Sequence, residues 1–236
     1  MILKQFPFPH FIIDNFLTDD LANKLSDEFP DFDSPNWYDY NNPIEVKKTI
    51  NNWYNFPKET YSFFHYLNSS DFVDGLQDLT KEVLYPDLGL HGGGWHIHGN
   101  GGKLNVHLDY SIHPKLNLER KYNLIIYLTK DWDPAWGGNL ELWSHDEETN
   151  RPKEKTATVD CVFNRAVLFD TSLNSWHGFN EPINCPEGVY RKSIATYYLK
   201  EPSENNPYRK RALFSPSEQQ KNDEGVLNFI QDRVKL

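Results

Sequence analysis

Tyr122-Asn123-Leu124-Ile125-Ile126-Tyr127-Leu128 is a run of aromatic, β-branched and long apolar side chains with two different faces. In an extended strand, alternate residues point to opposite sides. One face then carries Tyr122, Leu124, Ile126 and Leu128, which suits packing beneath an outer layer. The other carries Asn123, Ile125 and Tyr127, two of them polar and in need of partners if buried. Similar short runs lie on either side: Leu104 to His107, Asn139 to Trp143, Ala166 to Asp170 and Tyr190 to Leu199. Glycines and turn residues separate them, the pattern of an antiparallel sandwich or barrel.

The N-terminal part reads differently. Thr18 is placed to cap a helix from Asp19 to about Phe29, closed by Pro30. Helical stretches are expected near 58–67 and 70–84, the second capped at Ser70-Asp71. Its stripe of Phe72, Val73, Leu76, Leu79 and Val83 has helical spacing. The fold class is therefore mainly β with flanking helices, the N-terminal helices packing on one sheet. Residues 1–200 are expected to form one domain, helical to about 85 and β-rich from about 88. The tail 201–236 is expected to carry a helix near 216–234, from the spacing of Val226, Leu227, Ile230 and Val234.

With 236 residues, 38% of them hydrophobic, the chain is long enough for one sizeable core. A formal net charge of −10 opposes nonspecific nucleic-acid binding, and the basic run Tyr208-Arg209-Lys210-Arg211 is short against it. Cys161 and Cys185 form no C-x-x-C motif or paired framework, which favours a reducing compartment. The apolar start is broken by Pro7, Pro9 and His10, unlike a signal peptide, and no run approaches spanning length. The expectation is a soluble cytoplasmic protein with no membrane partner.

His107-Leu108-Asp109 is the one H-x-D in the chain. On a strand it aims an imidazole and a carboxylate to the same side. With nine His and nineteen Asp, chance supplies about one such tripeptide, so the motif by itself is weak. Context strengthens it. The motif sits on a β-like run after a Gly-rich segment, and Trp176-His177-Gly178 offers a third ligand after another apolar run. Two histidines and a carboxylate on one face of a metal form the site used by non-haem Fe(II) oxygenases, which leaves positions open for cosubstrate and dioxygen. Arg191 lies fourteen residues beyond His177, and Ser193 shares its face. A guanidinium fork grips a carboxylate bidentately.

These pieces together resemble the prolyl hydroxylase type of Fe(II)/2-oxoglutarate oxygenases, which fold as a double-stranded β-helix, or jelly roll. The matching segments are Gly99-Asn100-Gly101, His107-Leu108-Asp109, Ile126 to Asp133, Gly137-Gly138-Asn139-Leu140, Trp176-His177 and Arg191-Lys192-Ser193. The lead from Phe8-Pro9-His10 to Leu17 also matches. The resemblance implies that His107, Asp109 and His177 bind Fe(II). It implies that Arg191 and Tyr127 hold the distal carboxylate of 2-oxoglutarate, with Ser193 beside them; the Asn123 amide, on the same strand face as Tyr127, is expected within reach of the cosubstrate if that face points into the barrel. Dioxygen is the second cosubstrate, and ascorbate an auxiliary reductant. There are departures. His96-Ile97-His98 stands where relatives carry a tyrosine, Arg191 replaces the lysine of collagen-type enzymes, and Pro182, Cys185 and Pro186 extend the loop before Arg191.

Hydroxylation of a C–H bond is the implied reaction, on a prolyl peptide or protein. The alternatives are a small metabolite (a free amino acid, sugar or lipid precursor) and a jelly-roll binding module without turnover. Substrate contacts are expected from Trp95, His96, His98, Tyr110, Trp143, His145 and Trp176. The pair His96 and His98 is also a candidate for a cupin-like metal site, although no comparable third ligand accompanies it. Segments 36–56 and 131–147, with Trp, Asn and Pro in long turns, are candidates for a lid.

Overall fold

The computed structural model describes residues 2–235. In chain order the strands are β1 (Ile2–Lys4), β2 (His10–Ile13), β3 (Tyr38–Asn42), β4 (Glu45–Ile50), β5 (Tyr85–Pro86), β6 (Gly94–His98), β7 (Lys103–Leu108), β8 (Glu119–Tyr127), β9 (Leu140–Asp146), β10 (Arg151–Val159), β11 (Ala166–Asp170), β12 (Trp176–Phe179), β13 (Arg191–Lys200) and β14 (Leu213–Phe214). The helices are α1 (Asp19–Asp27), α2 (Lys58–Leu67), α3 (Ser70–Thr80) and α4 (Glu224–Lys235).

Hydrogen bonding joins the strands in the order β1-β2-β11-β8-β13-β6-β4-β7-β12-β9-β10, with β5 on β13, β3 on β4 and β14 on β7. All of these pairs are antiparallel. β4 closes the curl, because Lys48–Ile50 pair with β6 while Glu45 and Val46 pair with β7. The expected jelly roll, mainly β with helices on one sheet, is what the chain forms.

The two faces of the 122–128 run separate as their alternation requires. Tyr122, Leu124, Ile126 and Leu128 pack beneath the N-terminal helices with Leu25, Phe64, Leu67 and Trp95. Tyr127 and Ile125 face the interior with Phe169, Val167 and Leu142. Removing such side chains from water stabilises the fold by about 1.5–3 kcal/mol each. Polar ties fix the helical layer on the sheet: Ser26 Oγ donates to the Leu128 carbonyl at 2.8 Å, and Tyr198 Oη to that of Leu67 at 2.9 Å.

The caps are placed by local chemistry. Thr18 accepts from the Leu21 N–H as expected, but the third helix is capped one residue early, by Ser69. That helix also stops early. Lys81 adopts a left-handed φ of 58°, and Val83, expected on the buried stripe, is exposed. The tail does not wait until 216 to organise. Leu213 and Phe214 add a strand opposite Leu108 and His107 before α4 begins. α4 buries Val226 and Ile230 against Ile44 and Phe214, while Val234 stays exposed. Among the described residues no helix is long and apolar enough to cross a membrane.

Candidate metal centre and cosubstrate pocket

β7 and β12 place the two histidines opposite each other, His107 against His177, with ring centroids 4.4 Å apart. Gly178 permits this close approach. A Cβ there would lie 2.7 Å from the Leu104 carbonyl oxygen, and its φ of +153° is one that side chains rarely adopt. His107 Nδ1–H donates to the Asn105 carbonyl at 2.9 Å, and His177 Nδ1–H to that of Ser175 at 2.8 Å. Those bonds fix the tautomer that leaves each Nε2 with a free lone pair, as metal-ligating histidines require.

Asp109 completes the group. Its carboxylate oxygens lie 3.8 Å from His107 Nε2 and 3.9 Å from His177 Nε2. These distances are too long for hydrogen bonds, and all three donors fall within 4.8 Å of one another. Asp109 Oδ2 is buried and has no hydrogen-bond partner. Burial pushes His107 down to about 3 and lowers His177 as well, so both imidazoles are neutral. Burial alone would raise Asp109, but the attraction of neighbouring positive charge, led by Arg120, outweighs it, and the carboxyl is lowered. Two neutral imidazoles and an ionised, under-bonded carboxylate are the donor set that a divalent iron ion fits.

This group opens into a cavity of about 560 Å³ that also contains Arg191, Ser193, Asn123, His96, His98 and Tyr110. Arg191 is only 4% exposed. Its Nε donates to the Gly138 carbonyl at 2.8 Å and lies 3.1 Å from Cys161 Sγ. Gly138 has a φ of +69°, and a Cβ there would meet Ile183 and Arg191 at about 3 Å, which explains the glycine. Among the described residues no carboxylate lies within 4.0 Å of Arg191. A buried cation without a counterion is costly, so this position fits an anionic ligand. The Tyr127 ring lies 5.0 Å from the guanidinium carbon, and its buried hydroxyl is unpartnered. Burial raises the hydroxyl's pKa, so it remains a neutral donor. Asn123 is partly committed, since its Nδ2 donates to Tyr197 Oη at 3.0 Å while Oδ1 stays free.

Arg120 was not anticipated. It is 1% exposed and sandwiched between the rings of Tyr110 and Tyr197, at 3.5 and 3.3 Å. Its Nη1 lies 3.4 Å from Asp109 Oδ1, and Nη2 bonds the His91 carbonyl and Tyr110 Oη. Strict alternation would send Arg120 outward with Tyr122. A bulge intervenes: Tyr198 pairs with Tyr122, but Leu199 pairs with Arg120. The extra residue, Lys121, bonds Asp170 at 2.8 Å, and Arg120 turns into the cavity beside Asn123.

The expected substrate contacts divide by strand face. His96, His98 and Tyr110 line the cavity. Trp95 does not, because it neighbours His96 on β6 and points the other way, fully buried against Phe29 and Phe56. Trp176 likewise faces away from His177, packing on Val106 and Leu108 and donating Nε1–H to His145 Nδ1 at 2.9 Å. Trp143 joins that outer cluster and bonds Glu141 at 3.1 Å. These four, Trp95, Trp143, His145 and Trp176, are corrected to structural positions outside the cavity. His96 and His98 belong to no metal-capable cluster among the described residues. Segment 36–56 supplies Tyr40, Glu45 and Lys47 as one wall of the cavity, whereas 131–147 supplies Leu140.

The sequence profile of the 2OG-Fe(II) oxygenase superfamily matches residues 93–199, the stretch that bears every donor just described. The matched stretch, 107 of the 236 residues, is just under half of the chain. The fold is similar to that of prolyl hydroxylases: a Pseudomonas putida prolyl-4-hydroxylase superposes with a TM-score of 0.58 at 15% identity, covering 82% of this chain and 93% of that one. A Trichoplax adhaerens prolyl hydroxylase, in complex with a hypoxia inducible factor peptide fragment, gives 0.54 at 20% identity, covering 81% and 83%. By sequence, prolyl 3-hydroxylase OGFOD1 of Xenopus laevis is 23% identical over 198 residues, 83% of this chain. That match spans 36% of the frog protein, so the oxygenase chain covers little more than a third of this relative. The superfamily uses Fe(II), 2-oxoglutarate and dioxygen, and the His-Asp-His group is the matching donor set in this chain.

Proposed function

We propose that this oxygenase hydroxylates a C–H bond of a prolyl residue in a peptide or protein, consuming 2-oxoglutarate and dioxygen. One juxtaposition carries the reading: the three under-bonded metal donors share a cavity with Arg191, a buried cation lacking a carboxylate partner. His107, Asp109 and His177 would hold Fe(II), and Arg191 the distal carboxylate of 2-oxoglutarate, with the Tyr127 hydroxyl and Ser193 as further donors. Iron, 2-oxoglutarate and dioxygen together supply the oxidising power.

The chain's own work is positional. Arg191, itself held by Gly138, sets the depth and direction of the cosubstrate. Arg120 fixes one oxygen of Asp109 and thereby the orientation of that ligand. Phe214 stacks on His107 at 4.8 Å and Phe169 meets His177 at 4.7 Å, which keeps water from the ring faces. No protein acid or base is assigned a proton. Peptide rather than free metabolite is preferred because several of the similar proteins are prolyl hydroxylases, one of them in complex with a peptide. HygX of Streptomyces hygroscopicus, a similar structure with hygromycin B bound, is the reason the test includes a metabolite outcome. We place the oxygenase domain at residues 1–200, with 201–236 as an appended wall. The free, buried Cys161 and Cys185 favour a cytoplasmic setting.

The test is a panel of prolyl peptides incubated with protein, Fe(II), ascorbate and 2-oxoglutarate, read by succinate release and by mass spectrometry. The expected result is a gain of one oxygen on proline, absent with His107→Ala. Succinate release without any oxidised peptide, but with an oxidised amino acid or sugar, would move the reading to a metabolite hydroxylase.

A further inference from the structure

The basic run Arg209-Lys210-Arg211 has no part in holding iron or 2-oxoglutarate, yet it lies beside the metal loop. Its backbone is pinned there. The Ser111 N–H donates to the Arg209 carbonyl at 2.8 Å, the Arg209 N–H to Ser111 Oγ at 2.7 Å, and Leu213 and Phe214 pair with Leu108 and His107. Lys210 and Arg211 line the catalytic cavity and also a second cavity, of about 450 Å³, on the other side of the run. The two spaces therefore flank one basic ridge.

Charge is distributed unevenly across them. In the catalytic cavity the one acidic side chain besides Asp109 is Glu45, shared by Lys47 at 3.5 Å and Arg233 at 3.0 Å. The described lining of the second cavity contains no carboxylate. Lys210 and Arg211 are exposed, and among the described residues neither has a carboxylate within 4.0 Å. Arg209 is half-buried; its Nε donates to the Asp109 carbonyl at 3.2 Å, and its buried Nη2 has no partner. All this occurs in a chain of net charge −10.

We propose that the occupant of these two cavities is an acidic peptide, with carboxylate side chains on either side of the residue to be hydroxylated. Lys47 faces the carboxylates on one side, and Arg209, Lys210 and Arg211 those on the other. An extended chain advances about 3.3 Å per residue, so a few residues cross the ridge and enter both spaces. A small anion in the first cavity would leave the Arg209 guanidinium unpaired in the second. A nucleic acid would meet the acidic remainder of the surface, which repels its phosphates.

The choice of a peptide rests on the hydroxylase reading above, so binding and turnover are measured separately. The full chain, loaded anaerobically with Fe(II) and 2-oxoglutarate, is titrated against three labelled proline-centred peptides of equal length. Their flanks are Asp/Glu, Asn/Gln or Lys, and fluorescence anisotropy is the readout. The acidic peptide should bind at least ~10-fold tighter than the neutral one, with the advantage shrinking as salt rises. The exposed-site double variant Lys210→Glu/Arg211→Glu should reverse the order while keeping the parent circular dichroism spectrum. Equal affinity for acidic and neutral peptides, an unchanged order in the variant, or an oligonucleotide of equal charge binding as tightly as the acidic peptide would each overturn the proposal. Acidic preference with no peptide turned over supports this recognition and removes the hydroxylase reading. Prolyl turnover indifferent to charge keeps that reading and removes this one.

Discussion

At the inner end of the cavity Arg191 is 4% exposed and tied to Gly138 and Cys161, and Tyr127 lies over it from the neighbouring strand. At the outer end Lys210 and Arg211 are exposed, and Lys47 shares Glu45 with Arg233. The inner end comes from β8 and β13, central strands of the sheet. The outer end is assembled from two appended segments, the β3–β4 hairpin and the tail, which meet through Glu45 and Arg233 and through Ile44 against Val226 and Ile230. On the proposed reading, reaction chemistry is set by central strands of the sheet, while substrate choice is set by pieces added to the rim.

The sharpest break in that comparison comes from the ligands. His107→Ala or Asp109→Ala should abolish metal-dependent 2-oxoglutarate turnover, with metal content by mass spectrometry falling to background. Next comes the inner cation. Arg191→Met should raise the Kd for 2-oxoglutarate by roughly 30-fold or more, as expected when a buried charged partner is removed. The same change should leave the Tm of the metal-free protein unchanged or higher, because it deletes an uncompensated buried charge. A clear drop in Tm would show that Arg191 is structural.

Arg120→Lys should weaken Fe(II) binding by about 10–100-fold, the range for groups that orient a metal ligand, while 2-oxoglutarate affinity at saturating metal changes little. If both affinities fall together, Arg120 is part of the cosubstrate site. At the outer end, Ile230→Ala should cost about 2–4 kcal/mol if α4 is integral to the fold. It should raise the KM for peptide more than it changes kcat, as steady-state kinetics would show.

The smallest expected effect is on pH. Burial holds His98 well below 6.5, with both ring nitrogens unpartnered. The unfolded chain therefore binds a proton first, so the folded state loses stability as pH falls through 6.5, on the order of 1 kcal/mol per pH unit. His98→Gln should flatten the acid limb of a Tm-against-pH curve. An unchanged limb would place the loss elsewhere.

The inner end was legible because alternation and motif agree there. Asn123 and Tyr127, His107 and Asp109, and Arg191 and Ser193 each sit two or four residues apart on one strand, and all face the cavity apart from Tyr127, whose ring lies over Arg191 in the interior core. The same rule exposes the errors, since Trp95 and Trp176 are immediate neighbours of His96 and His177 and must face away. Arg120 was hidden for a different reason. One bulged residue reverses parity, and nothing in Glu119-Arg120-Lys121 announces it. The basic run was read by net charge alone, which carries no information about which strand it would pair with. Its place beside Asp109 depends on β14, a two-residue strand too short to show periodicity.

The central claim, that one cavity joins a metal to a carboxylate clamp, is tested most directly by calorimetric titration of 2-oxoglutarate under anaerobic conditions. Parent protein should bind one equivalent when Fe(II) is present and at least ~10-fold more weakly without it; Asp109→Ala should lose the metal enhancement and Arg191→Met most of the remaining affinity. Binding that is indifferent to Fe(II), or unaltered by Arg191→Met, would contradict the account.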